Sequence, residues 1–201
     1  DVINIMAKHK NICKSIHLPV QSGSNNILKK MNRQHTREEY FELIDNIKKL
    51  IPDCGLSHDM ITGFPTETDQ DHQDTLDLMR RIKYDYGFMF VYSERPGTMA
   101  ARKIKDNIPE TVKKKRLKEI IDLQREHSNY RTNQFLGKNV TVLIEKASKK
   151  SSDFWSGRTT QNTVVVFPKE NYKVGDFVDV LIENCTSATL IGSAIDYSKD
   201  L

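Results

Sequence analysis

Cysteine is scarce in this chain. Cys13, Cys54 and Cys185 are the only three in 201 residues, and they stand 41 and 131 positions apart. No CxxC pair occurs, so spacing points neither to a disulfide framework nor to a thiolate metal site. Three reduced thiols and no metal ligands are expected. His9, His17, His35, His58, His72 and His127 form no HExxH or paired metal-ligand pattern either. Long apolar runs are also missing. Nothing approaches the roughly 20 residues a helix needs to cross hydrocarbon. No internal repeat and no low-complexity tract interrupts the chain. A strong excess of one charge is lacking too: 31 basic and 27 acidic residues leave +4, too little to demonstrate a polyanionic partner. Asp1-Val2-Ile3-Asn4 are not followed by a basic-then-apolar segment, so a secretory signal is not expected and a cytoplasmic location is. The chain opens without methionine inside a helix-like stretch, as expected for the later part of a longer protein.

What remains is a chain built to bury cores. Branched aliphatic and aromatic residues recur along its whole length, which argues against disorder, and its size suits one domain or two small ones. Two textures meet near Gly137. Before it, apolar strand candidates alternate with helical patterns. Ser15–Val20, Leu56–Gly63 and Phe88–Tyr92 read as strands, with helices over 25–31, 36–51 and 69–82 between and after them. Thr36 and Glu39 form a capping box, and Tyr40, Leu43, Ile44, Ile47, Leu50 and Ile51 give the next helix an apolar face. Leu76, Leu78, Met79 and Ile82 are the expected inner residues of the helix that follows. Strands alternating with helices predict a parallel sheet. Three strands cannot close a barrel, so they would form the last part of one. A long helix spans 109–136, with Val112, Leu117, Ile120, Ile121 and Leu123 inward. After Gly137 the period changes to two: Val140–Glu145, Phe154–Arg158, Thr163–Phe167, Phe177–Glu183 and Thr189–Ala194 predict a small all-β barrel of OB-like character. The expected domains are therefore 1–136 and 137–201.

Ligands of parallel α/β sheets sit at the carboxyl ends of the strands. All three strands here end in polar or glycine-containing loops: Pro19–Ser24, Asp59–Pro65 and Tyr92–Thr98. Gln21, Ser22, Tyr92 and Ser93 offer neutral hydrogen bonds. Asp59 alternates with apolar neighbours on a strand, and its carboxylate would serve either a cationic group of a ligand or an internal ion pair. His17 reads as a satisfied core histidine. Arg95, followed by Pro96 and Gly97, would be held at the rim to meet a phosphate or nucleotide, or else pair with Glu94 or Asp59. In the tail, Lys138, Lys146, Lys149, Lys150 and Arg158 face only Glu145 and Asp153 over 138–158. That stripe suits a phosphate backbone, with a solvated charged face as the plain alternative. Phe154 and Trp155 point to opposite faces of one strand; Phe154 is expected in the barrel core, leaving Trp155 to stack on an unpaired base or to pack on the long helix.

Four segments carry a resemblance: HLPVQSGS at 17–24, MNRQHTREEY at 31–40, DMITGFPTET at 59–68 and FVYSERPGTMA at 90–100. They resemble the radical-SAM methylthiotransferases, and residues 137–195 resemble the TRAM domain that ends them. Within that family the branch acting on prenylated adenosine 37 of tRNA fits best; the branch acting on threonylcarbamoyl-adenosine tRNA is near, and the ribosomal-protein branch typically carries acidic residues where Arg95-Pro96 stands here. The resemblance implies an α/β fold, the C-terminal part of a partial TIM-like radical-SAM barrel followed by an OB-like TRAM barrel. It implies a parent enzyme with S-adenosylmethionine and two [4Fe–4S] clusters, one on a CxxxCxxC loop, that places a methylthio group on C2 of the adenosine. Neither cluster motif is present, so this chain alone should be inactive. Gln21, Ser22, Asp59, Tyr92 and Ser93 would line the S-adenosylmethionine site; Arg95, Lys138, Lys146, Lys149, Lys150, Trp155 and Arg158 would meet tRNA. A second reading is an RNA-binding module without catalysis.

Overall fold

A computed structural model describes residues 2–198. The elements run α1 (Val2–Lys8), β1 (Ser15–His17), α2 (Asn25–Lys30), α3 (Arg37–Leu50), β2 (Gly55–Thr62), α4 (Asp69–Ile82), β3 (Tyr86–Val91), α5 (Met99–Lys103) and α6 (Glu110–Asn133). Five strands follow: β4 (Asn139–Ala147), β5 (Phe154–Arg158), β6 (Val164–Pro168), β7 (Phe177–Cys185) and β8 (Thr189–Tyr197). The chain divides into two compact units. One holds His17–Asn46 and Leu56–His127; the other holds the residues up to Ile16, those from Ile47 to Gly55, and those from Ser128 onward.

The first unit is built on a three-stranded sheet of order β1-β2-β3. β2 and β3 are parallel, with Asp59 opposite Phe88 and Ile61 opposite Phe90. Beyond β1 the chain stays alongside β2, because Gln21 makes a parallel bridge to Met60. One sheet face is packed: Met60 is fully buried and Leu56 nearly so. On the other, Phe88 and Phe90 remain 53% and 52% exposed. The predicted capping box forms, Thr36 N–H donating to Glu39 Oε2 at 2.7 Å and Glu39 N–H to Thr36 Oγ1 at 3.2 Å. Ile44 and Ile47 are buried as expected from the apolar stripe of α3, whereas Leu43 is 38% exposed. A second box, Thr68 with Asp71, starts α4. Asp71 also accepts the hydroxyl of Ser24, the N-cap of α2. One carboxylate thus ties together the starts of two helices.

The buried stripe of α6 is largely polar, in contrast to the apolar face expected. Lys113, Arg116, Gln124 and His127 are buried beside Ile120, while Val112, Leu117, Ile121 and Leu123 are only half-buried. Each polar member but His127 has a named partner. Lys113 Nζ reaches Asp106 Oδ2 at 2.6 Å and Glu110 Oε1 at 2.9 Å; Arg116 reaches Glu67 and Asp69, each at 2.7 Å. Gln124 Nε2 donates to the Tyr84 carbonyl and its Oε1 meets His58 Nε2 at 2.8 Å. Paired in this way, the polar groups avoid the desolvation cost of burial without a partner.

In the second unit the five strands close a barrel of order β4-β5-β6-β8-β7. All neighbours are antiparallel except β6 and β8. Val142, Ile144, Val165, Phe167, Val178, Val180, Ile182 and Leu190 fill it, every second residue of their strands. Gly157 lets β4 and β5 close up: a Cβ there would lie 2.2 Å from the Leu143 carbonyl oxygen.

Candidate functional site

In the α/β unit, the carboxyl ends of the strands converge on a cavity of about 480 Å³. Gln21 from the segment after β1, Asp59 and Ile61 from β2, and Phe90, Val91, Tyr92 and Ser93 from the end of β3 line it; Arg95, Thr98 and Ala100 complete the mouth. Four of the five residues expected around a small ligand are therefore brought together. Ser22 is not. It is fully buried, accepts from Ser24 N–H at 3.2 Å and lies 3.4 Å from Thr75 Oγ1, so it anchors the loop on α4 rather than facing the cavity. Gln21 sits at φ 70°, in the left-handed region, and its Oε1 accepts from Arg33 Nε at 2.9 Å.

Asp59 pairs with His17, Nε2 to Oδ1 at 3.4 Å, and His17 Nδ1 lies 2.9 Å from Ser57 Oγ. His17 is not a core histidine as expected. Its side chain is 41% exposed, because β1 is an edge strand whose residue 17 points to the open face of the sheet. Asp59 keeps 28% of its side chain accessible, which leaves oxygen lone pairs turned to the cavity. Tyr92 is fixed from behind by an edge-to-face contact with Phe64 at 5.0 Å and by Lys113 Nζ 5.9 Å from its ring. Burial, with the nearby Glu94 and Asp106 carboxylates, raises the Tyr92 phenol above its ordinary pKa, so it stays a neutral donor. Arg95 is exposed at the mouth; its carbonyl accepts from Thr98 N–H and Oγ1–H at 3.2 and 2.9 Å. Among the described residues neither Glu94 nor Asp59 forms an ion pair with it.

Sequence reasoning missed the apolar wall. Ile61 lies two residues from Asp59 on β2, and Phe90 stands opposite it on β3. Period-two alternation from Asp59 onward was the available signal.

The barrel unit carries a second hollow, about 640 Å³, in which Lys146, Lys149, Lys150 and Arg158 meet Phe154, Ser156, Val164, Val166 and Ile191. Lys138 does not join them; it lines a separate cleft with Arg131, Gln134 and Gln161. The two aromatics of β5 are reversed relative to expectation. Trp155 packs against the barrel core, with Lys169 Nζ 4.4 Å above its ring, while Phe154 faces the basic hollow. Five-stranded barrels of this kind bind oligonucleotides on the face of their second and third strands, between the loops joining strands one to two and four to five. The hollow lies there, on β5 and β6, between Ser148–Ser151 and Thr186.

Among the described residues no group of three His, Cys, Asp or Glu could hold a metal ion, and no helix is long and apolar enough to cross a membrane.

Comparison with known proteins defines the class first. Residues 1–79 match the Radical SAM superfamily, and residues 133–195 match the TRAM domain. The tRNA-2-methylthio-N(6)-dimethylallyladenosine synthase of Christiangramia forsetii is 68% identical over 200 residues, all of this chain and 42% of that protein. The synthase of the same name from Flavobacterium johnsoniae is 60% identical over 98% of this chain and 41% of its own length. That of Karelsulcia muelleri is 54% identical over 96% and 42%. Coproporphyrinogen III oxidase from Escherichia coli, described as a radical SAM enzyme, superposes on 73% of this chain and 41% of its own, with a TM-score of 0.49 and 16% identity. Along nearly its whole length the chain is similar to these tRNA-2-methylthio-N(6)-dimethylallyladenosine synthases, and it spans about two-fifths of the length of these curated relatives.

Proposed function

We propose that the chain forms the substrate-facing part of a tRNA methylthiotransferase that places a methylthio group on C2 of N6-dimethylallyladenosine 37. In this reading residues 1–136 are the C-terminal part of a partial TIM-like radical-SAM barrel with its long linking helix, and 137–201 are the TRAM barrel that grips tRNA. The observation that carries it is the cavity at the strand ends, where Gln21, Asp59, Tyr92 and Ser93 converge from three strands on an apolar wall of Ile61, Phe90 and Val91. That donor set fits S-adenosylmethionine. An anionic Asp59 suits its ammonium or sulfonium charge, neutral donors suit ribose and carboxylate oxygens, and the wall suits adenine. When bound, the cofactor supplies the methyl group and the radical. The residues of this chain orient it and exclude water behind Phe64 and Tyr92. Iron–sulfur clusters are held by thiolates, and Cys13 is exposed, Cys54 buried and Cys185 half-buried; among the described residues no three His, Cys, Asp or Glu side chains gather where they could hold a metal. These residues do not fit a cluster, so the chain by itself is proposed to be inactive.

The reading is tested in the full-length protein. Asp59→Asn should weaken S-adenosylmethionine binding, measured by calorimetry. Arg95→Ala should lower turnover on tRNA while cofactor binding is nearly kept. Cofactor binding indifferent to Asp59→Asn would remove the assignment of this cavity.

A further inference from the structure

The barrel hollow contains more than phosphate neutralisation needs. Strand register sets Lys146, Ser156, Val166 and Ile191 side by side across β4, β5, β6 and β8. The next row is Arg158, Val164 and Thr189. Along β5, residues 154, 156 and 158 share this face. Ser156, only 8% exposed, leaves a trough between Phe154 and Arg158, whose Cα atoms are about 13 Å apart along the strand. Val164, Val166 and the 38%-exposed Ile191 make an apolar floor. The Arg158 guanidinium is held in place, Nη1 donating to the Asn162 carbonyl and Oδ1 at 3.0 and 2.9 Å. Its Nε lies 3.4 Å from Glu145 Oε2, so the acidic side chain that lines the hollow among the described residues is already paired. Lys149 and Lys150 stand at the rim on the loop between β4 and β5.

A slot with an aromatic ring at one end, a fixed planar cation at the other, an apolar floor and ammonium groups on one rim matches a flat apolar heterocycle joined to an anion. Duplex RNA offers phosphates but keeps its base faces stacked; an acidic peptide offers charge but nothing planar. Resting on the reading of this barrel as RNA-binding, we propose that the hollow takes an unpaired nucleotide of single-stranded RNA. The base lies on Phe154 over Val166 and Ile191, and its flanking phosphates lie on Lys149 and Lys150. Phe154 thereby selects single strands, because every base has a π-face and a stacked base is inaccessible.

The test is fluorescence anisotropy of the 201-residue chain with a labelled 12-nucleotide single-stranded RNA, the same sequence as duplex, and polyglutamate as competitor. Phe154→Ala should weaken single-strand binding about tenfold without changing the slope of log K against log salt, and Phe154→Tyr should restore it. Lys149→Ala with Lys150→Ala should instead flatten that slope by about one unit. Unchanged Trp155 emission verifies that each variant's barrel is intact. Salt-dependent binding untouched by Phe154→Ala, or duplex bound as tightly as single strand, overturns the nucleotide slot while leaving RNA binding in place. Displacement by polyglutamate as effective as by RNA of equal charge also overturns it, in favour of an acidic peptide. No binding of either RNA form or of whole tRNA removes the RNA reading itself.

Discussion

Gly63 shows how one missing side chain supports the cavity wall. It sits at φ 72°, and a Cβ there would lie 2.4 Å from Lys113 Cγ. Lys113 in turn lies against Tyr92 and is clamped by Asp106 and Glu110. Gly63→Ala should lower stability by about 2 kcal/mol, from left-handed backbone strain and the displaced lysine. Urea unfolding measures it, and shortening Lys113 to alanine in the same chain should make the added methyl cost less. Equal costs in both backgrounds would show that the clash contributes nothing. His58 is the second residue-scale case. It is fully buried; desolvation, outweighing its hydrogen bond to Gln124, pushes its pKa down from 6.5 to about 4. A depressed folded-state pKa means the unfolded chain binds the proton first. Stability is therefore full above about 6.5 and falls as pH drops towards 4, by on the order of 2–3 kcal/mol at pH 4.5. A resonance assigned to the His58 imidazole that titrates near 6.5 in the folded protein would refute this. The reversal of Phe154 and Trp155 is of the same scale. Alternation along β5 was legible, but each face of FWSGR holds one aromatic among small or polar residues, so composition could not set the phase. Pairing with β4 and β6 did.

At the scale of elements, the long periodic patterns were readable and the short or polar ones were not. α4, fourteen residues long, begins and ends where the pattern places it. α5, five residues of Met-Ala-Ala-Arg-Lys, is too short to show a period and follows from the Thr98 cap, whose Oγ1 accepts from Ala101 N–H. The packed stripe of α6 escaped because its members are Lys113, Arg116, Gln124 and His127, types normally assigned to solvent; only their partners on other segments justify burial. Asp71 is the element-scale device with the widest reach. Its carboxylate accepts from Thr68 N–H and Oγ1–H at 2.9 and 2.7 Å and from the Ser24 hydroxyl. Burial opposes ionisation, but these donors outweigh it and hold its pKa below the usual value. Asp71→Ala removes support from two helix starts and should cost about 2 kcal/mol, roughly one per cap. Because its folded pKa is depressed, the wild-type advantage is present above about pH 4 and is lost as pH falls through the lower folded value. Denaturant midpoints of the two proteins that stay equally far apart at pH 7 and pH 2 would contradict the role of the charge.

Across the whole molecule, the strand-end rim and the basic barrel face were visible because each repeats a local signal: three polar loops after three strands, and a lysine run between two strands. Membership in those sites was less visible. Ser22 and Lys138 share the composition of their neighbours but point elsewhere, since the register of a turn is a tertiary property. The three thiols show the same limit. Their spacing says only that they are not a motif, whereas the structure ranks them. Cys13 is exposed; Cys185 is half-buried with Sγ 3.3 Å from Asn133 Oδ1; Cys54 is 3% exposed with Sγ directed at the Gly55 carbonyl. Thiolate chemistry follows access. Iodoacetamide should therefore label Cys13 first, Cys185 more slowly, and Cys54 only after denaturant is added, as read by peptide mass spectrometry over a time course. Three thiols so differently placed cannot converge on one iron centre. Anaerobic reconstitution of the 201-residue chain with iron and sulfide should leave no visible charge-transfer absorbance beyond that of unreacted reagents. Early labelling of Cys54 in native buffer, or a cluster spectrum lost on Cys13→Ala, would show that the folded chain brings its cysteines together in a way this structure forbids.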